Sequence, residues 1–99
     1  MKLKEEKELG LFLQHHSDKL ILIKFFTTWC TPCHELQRNI EQLLQERKDV
    51  VVLEIDAEKF PELAQRPEFN VRAVPALFLF RQGNQVRSVE QLKKFISGS

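Results

Sequence analysis

The chain holds no run approaching the roughly 18 apolar residues that a bilayer-crossing helix requires. Its opening segment, Met1-Lys2-Leu3-Lys4-Glu5-Glu6-Lys7, has no apolar stretch of the kind that marks a secretory leader. These two absences predict a soluble, cytoplasmic protein with no membrane contact. No block of Lys or Arg is long enough to follow a phosphate backbone, and 15 basic against 14 acidic side chains leave a formal net charge of only +1. A nucleic-acid partner is therefore not expected. Cysteine is scarce too, with two residues in 99, too few for a disulfide scaffold to stand in for a core. A core is within reach without one, because a chain of this length buries roughly 60 to 70% of the surface it exposes when unfolded. Hydrophobic residues at 42% and charged residues at 29% match ordinary globular usage, and we expect one domain over residues 1–99.

Patterning supplies the elements. Leu3 and its lysine neighbours read as a short edge strand, and Leu9, Phe12 and Leu13 share a helical face, predicting a first helix to about His16. Leu20 to Phe26 is apolar at six of seven positions, as a strand covered on both faces of an α/β sheet should be. From Cys33 onward Leu36, Ile40, Leu43 and Leu44 recur at helical spacing. Pro32 suits the first turn of that helix, where its missing N–H costs no hydrogen bond, so a second helix is predicted from about Cys30 to Arg47. Val50 to Ile55 is a further buried strand, and the pair of strands brackets the helix in a parallel βαβ unit. Pro61 to Gln65 has the length of a short helix stopped by Pro67, Ala76 to Phe80 is another strand, and Gln82-Gly83-Asn84 turns into a short strand around Val86. Ser88 with Gln91 is a capping-box signal for a last helix lined by Val89, Leu92, Phe95 and Ile96.

The two cysteines sit three apart in Trp29-Cys30-Thr31-Pro32-Cys33, directly after a buried strand and directly before a helix. A helix start offers unpaired N–H groups and the positive end of the peptide dipole, so a sulfur there ionises readily, and the thiolate is the form that attacks disulfides. Dithiol redox chemistry is the natural reading. Three other uses compete with it. Cys30-Thr31-Pro32-Cys33-His34 also spells the c-type haem attachment pattern, yet Met1 is the sole methionine to serve as a second axial ligand. Zinc would need Cys30, Cys33, His34 and one of His15 or His16, without the usual spacing of paired histidines. Buried structural thiols would leave Trp29 and Pro32 as coincidences. We expect no metal and no bound cofactor.

Ile23 to Cys33, Leu53-Glu54-Ile55-Asp56, and Val71-Arg72-Ala73-Val74-Pro75 followed by Ala76 to Phe80 and Gly83 together resemble the thioredoxin family over nearly the whole chain. The resemblance implies an α/β thioredoxin fold: a central mixed sheet in the order 1-3-2-4-5, helices on both faces, and a cis Pro75 facing the cysteines. It further implies a monomer that exchanges electrons with disulfide-containing protein substrates and is recycled by a reductase or other electron donor. On that reading Cys30 is the nucleophile, with its sulfur partly exposed, and Cys33 resolves the mixed disulfide. Pro32 supports the redox motif. Trp29 either packs in the core or rims the substrate surface, and the Val74 backbone beside a cis Pro75 would pair with a substrate chain. His15, His16 and His34 are expected at the surface.

Three departures from the family pattern stand out. Lys24 occupies a position where many members hold a buried acid, Pro67-Glu68-Phe69-Asn70 lengthens the approach to Val71, and the last hairpin is shortened. An unpaired buried ammonium is costly, so Lys24 must find a carboxylate, lose its proton or reach solvent at the sheet edge. The sharper expectation is that it lies under the redox helix, pairs with Glu54 on the neighbouring strand, and assists proton transfer at Cys33. The function expected is reduction of protein disulfides. The alternatives are an exported thioredoxin-like protein serving oxidation or cytochrome maturation, and a thioredoxin-like binding module with little turnover.

Overall fold

The computed structural model describes residues 1–86. Strand β1, Leu20–Phe26, is the middle of the sheet and owes its place to its composition. A strand whose side chains are apolar on both sides must be covered on both sides. Six of its seven residues are buried. Helix α2, Thr31–Glu46, carries the chain to β2, Val50–Asp56, which pairs parallel with β1. On the other edge of β1 lies β3, Ala76–Arg81, antiparallel, followed by the three-residue β4, Asn84–Val86. Gln82 and Gly83 both have positive φ, 52° and 78°, which is what a two-residue type I′ hairpin requires. The sheet order is β2-β1-β3-β4.

Successive strand residues point to opposite faces, and the core divides accordingly. Ile21, Ile23 and Phe25 join Leu53 and Ile55 under α1, Glu8–His15, and α3, Pro61–Ala64. Leu20 and Leu22 join Val50 and Leu79 under Ile40 and Leu43 of α2. Helices thus cover both faces, as expected of the fold. The same alternation assigns Lys24 and Glu54 to the α2 side, and the parallel register sets them directly opposite one another.

Two expectations need correction. The edge strand around Leu3 is a single isolated bridge, Lys2 to Glu54, so the sheet has four strands among the described residues rather than five. Two backbone hydrogen bonds, Leu3 to Glu54 and Glu54 to Met1, both 2.8 Å, hold the segment, and Leu3 is buried. The chain then turns away at Glu5 into α1, too soon for a ladder to form. The short helix α3 ends at Ala64, one residue before the predicted Gln65. The last helix, with Ser88, Gln91 and the apolar residues Val89, Leu92, Phe95 and Ile96, lies outside the described residues.

Candidate active site

At the end of β1 the chain makes a short connection, Thr27 to Trp29, and enters α2 through Cys30, the N-cap, whose φ of −84° and ψ of 107° are extended. Its sulfur takes the part a capping oxygen usually plays. Cys33 N–H donates to Cys30 Sγ at 3.1 Å, which meets one of the orphan donors of the first turn. Cys30 and Cys33 are joined in a disulfide, with Cα atoms 5.3 Å apart, well inside bridging range. The expected partial exposure of the Cys30 sulfur is not found: Cys30 and Cys33 are each 3% exposed. The cause is local. With its partner bonded on one side and the first turn of α2 folded over it, Cys30 has little free surface, and it meets solvent as part of a groove wall.

That groove, about 720 Å³, is lined by Cys30 and Pro32 from the redox motif, Trp29 before it, Pro61 and Ala64 from α3, and Val71 to Val74. The lining is mainly apolar, with Arg72 as its cation. The Val74–Pro75 peptide bond is cis, and the residue that lines the groove with Cys30 is Val74, not Pro75 itself.

Of the two placements open for Trp29, the structure has the exposed one: its surface is 69% accessible. A large exposed indole needs something to orient it, and Glu58 does so by accepting the Nε1–H at 2.9 Å. Sequence reasoning missed Glu58. The signal was available in the strand register, because Phe26 stands opposite Asp56, so residues two or three further along each chain come together. Asp56 shapes the turn by accepting the N–H groups of Glu58 and Lys59. Glu58→Ala is expected to free the indole, and because Trp29 is the only tryptophan, its fluorescence reads this directly. Lower anisotropy and stronger iodide quenching should follow, whereas Glu58→Gln keeps an acceptor and stays close to the parent. Identical signals in all three proteins would show that the bond does not orient the ring.

Behind the disulfide, Lys24 is 4% exposed, so the alternative in which it reaches solvent at the sheet edge is not what the chain does. Its ammonium lies under α2. Nζ donates to Gln37 Oε1 at 2.8 Å and to the Cys33 carbonyl at 3.4 Å, and forms an ion pair with Glu54 at 3.7 Å. Burial pushes the Lys24 pKa down from its ordinary value, opposed by the Glu54 carboxylate, which favours the charged form. Gln37 was not anticipated, although it stands one turn after Cys33 on the same helical face. Thr27, 5% exposed, has a hydroxyl without a hydrogen-bond partner among the described residues.

The histidines fall outside this arrangement in different ways. His34 and His15 are exposed, while His16 is half-buried with its ring 4.5 Å from that of Phe12. Among the described residues no three His, Cys, Asp or Glu side chains come close enough to hold a metal ion, and the zinc set considered from the sequence is not assembled.

Comparison with known proteins agrees with this geometry. The Thioredoxin family model matches residues 3–96. Thioredoxin-1 of Drosophila melanogaster is 39% identical over 72 residues, covering 72% of this chain and 65% of that protein. Thioredoxin Y2, chloroplastic, of Arabidopsis thaliana is 36% identical over 72 residues, again 72% of this chain but 42% of its own length. The chain thus spans less than two thirds of both relatives. Among solved structures, the germline-specific thioredoxin Deadhead of Drosophila superposes with a TM-score of 0.81 at 26% identity, covering 99% of this chain and 97% of that one.

Proposed function

The chain belongs to the thioredoxin family, and from that premise we propose that it is a thiol–disulfide oxidoreductase that, as a dithiol, reduces disulfides in protein substrates. The observation that carries the reading is the Cys30–Cys33 pair at the start of α2, with the Cys33 N–H aimed at Cys30 Sγ and the groove of Trp29 and Val74 alongside. Once the pair is reduced, that N–H and the helix dipole favour a thiolate at Cys30. The thiolate attacks one sulfur of the substrate disulfide, a bond forms from Cys30 to the substrate, and the other substrate sulfur departs with the electron pair. Cys33, as thiolate, then attacks Cys30 Sγ. The Cys30–Cys33 bond forms, the second substrate sulfur leaves, and the protein is oxidised by two electrons while the substrate gains two thiols.

Trp29 and the Val74 backbone, next to the cis Pro75, are the docking surface for the substrate chain in this reading, and Pro32 shapes the first turn that holds the two sulfurs. An external reductase returns the electrons, so the chemistry calls for no bound cofactor. We place the activity in one domain acting as a monomer. Among the described residues no helix is long and apolar enough to cross a membrane. A cytoplasmic setting is proposed, while one relative, Thioredoxin Y2 of Arabidopsis thaliana, is chloroplastic.

Trapping tests the mechanism. Cys33→Ser removes the resolving thiol and should accumulate mixed disulfides with protein substrates, visible as reductant-sensitive adducts on non-reducing gels and absent from the double variant Cys30→Ser/Cys33→Ser. A chain that associates with the same partners equally well without either cysteine would instead be a binding module.

A further inference from the structure

The groove serves Cys30, but Cys33 lines a different space. It opens into a separate recess, together with Lys24, Phe26, Thr27, His34, Gln37 and Glu54. Lys24 dominates this recess: its ammonium donates to Gln37 Oε1 and the Cys33 carbonyl and stands 3.7 Å from the Glu54 carboxylate. A carboxylate at that range favours the charged amine over the neutral one. The geometry therefore favours the charged form. We propose that Lys24 is a positioning residue of fixed positive charge beneath Cys33, which holds the Cys33 sulfur as a thiolate ready to resolve the mixed disulfide. The proposal rests on the dithiol reading above and assigns its second step a charge of stated sign.

The consequences follow from electrostatics at short range in a poorly solvated site. Burial alone pushes a thiol pKa up, and a neighbouring cation pushes it down. Cys33 is buried to the same degree as Cys30, so without a cation it would keep its proton and resolve slowly. With the Lys24 ammonium 3.4 Å from the carbonyl of the same residue, the thiolate is the favoured form. Its proton leaves to water through the recess. Attack on Cys30 Sγ then forms the intramolecular disulfide, and the departing substrate sulfur takes a proton from solvent.

The charged groups around Lys24 come from every packed element. Glu54 on β2 and Glu41 on α2 favour the ammonium, whereas Lys2 on the N-terminal segment opposes it. Glu41 accepts from Gln37 Nε2 at 3.4 Å, so the amide links Lys24 to a second carboxylate. The Phe26 ring lies 5.8 Å from Lys24 Nζ and 5.6 Å from Lys2 Nζ, presenting its face to both cations. His34 is the remaining titratable side chain of the recess. Two carboxylates and a ring stand against one lysine and against burial, which on balance lowers the Lys24 pKa from its ordinary value.

The test is a titration of Cys33 in the Cys30→Ser protein, where it is the sole thiol, followed through ultraviolet thiolate absorbance. Cys33 should titrate below about 8.5, the value of an unperturbed thiol, and Lys24→Met in the same background should raise it by about one unit or more. That shift is a tenfold loss of thiolate at neutral pH. A merely structural lysine would alter the melting temperature and leave the titration where it was. If Lys24→Met does not fold, the parent titration decides: a Cys33 value at or above the ordinary thiol overturns the proposal, as does an unchanged value in a folded Lys24→Met. The measurement is independent of turnover. A parent that reduces no protein disulfide, yet shows a cation-dependent Cys33, would overturn the activity and leave the charge assignment standing.

Discussion

Cys30→Ser is expected to lower reduction of a model protein disulfide by more than about a thousandfold, the scale on which removal of an enzymatic nucleophile acts. The loss is chemical rather than structural. A serine hydroxyl in the same place receives the same N–H bond from Cys33, but it stays protonated at neutral pH and has no thiolate to offer a disulfide sulfur. The fold should survive the change. Closing a loop of four residues contributes about 2 kcal/mol in the chain-entropy account of disulfides, against a total of roughly 5 to 15 kcal/mol for a domain. The variant should therefore keep a cooperative melt while losing turnover, and an insulin-type reduction assay run beside a thermal melt separates the two effects. Full activity in Cys30→Ser would remove the dithiol mechanism altogether. Loss of both activity and the cooperative melt would place Cys30 in the architecture instead.

Much of this arrangement could be read from residue order because it rests on local rules. The run Leu20 to Phe26 became β1 with the same bounds, since a stretch so uniformly apolar can be satisfied only between two covering layers. Alternation along β1 and β2 then put Lys24 and Glu54 on one face, and the parallel register made them partners. Pro32 and the spacing of Leu36, Ile40 and Leu43 located α2 to within one residue at each end. What escaped was set by contacts between distant segments. The groove beside Cys30 is assembled from α3 and the Val71–Val74 segment, which lie far from it along the chain. Glu58 reaches Trp29 across two neighbouring chain reversals, which only the pairing of Phe26 with Asp56 brings together. The Leu3 segment has strand-like residues, yet whether it forms a ladder or a single bridge depends on where the chain turns away from β2. Nothing in the local pattern states that.

The four residues Pro67 to Asn70 looked from the sequence like a mere lengthening of the approach to the groove, and the structure gives them a role that leads to the second large effect. Phe69 is buried at 6% exposure and plugs the face of the sheet covered by α1 and α3. Its ring meets Phe25 and Phe78 edge-on, each at 5.1 Å between centroids, and Phe80 at 6.1 Å. The backbone around it is held as firmly. Phe69 and Asn70 both donate to the Arg66 carbonyl, at 2.9 and 2.7 Å, and Val71 donates to Ala64 at 2.7 Å. Asn70 adopts a left-handed φ of 44°, a conformation that asparagine tolerates better than most residues. The groove wall, Val71 to Val74, therefore starts from an anchor in the core. Phe69→Ala should cost about 3 to 5 kcal/mol through lost burial and the cavity left behind, which for a domain of this size lowers the melting temperature by roughly 12 °C or more. Phe69→Leu retains most of the volume and should cost less than about 1.5 kcal/mol. Because the anchor and the wall are continuous, Phe69→Ala should also weaken turnover of a protein disulfide more than turnover of a small disulfide, which needs Cys30 but not the groove. Melting followed by circular dichroism, with both substrates assayed well below the transition, checks the two parts together. A shift under about 5 °C would mean that the ring is not the anchor, and equal losses on both substrates would detach the anchor from the wall.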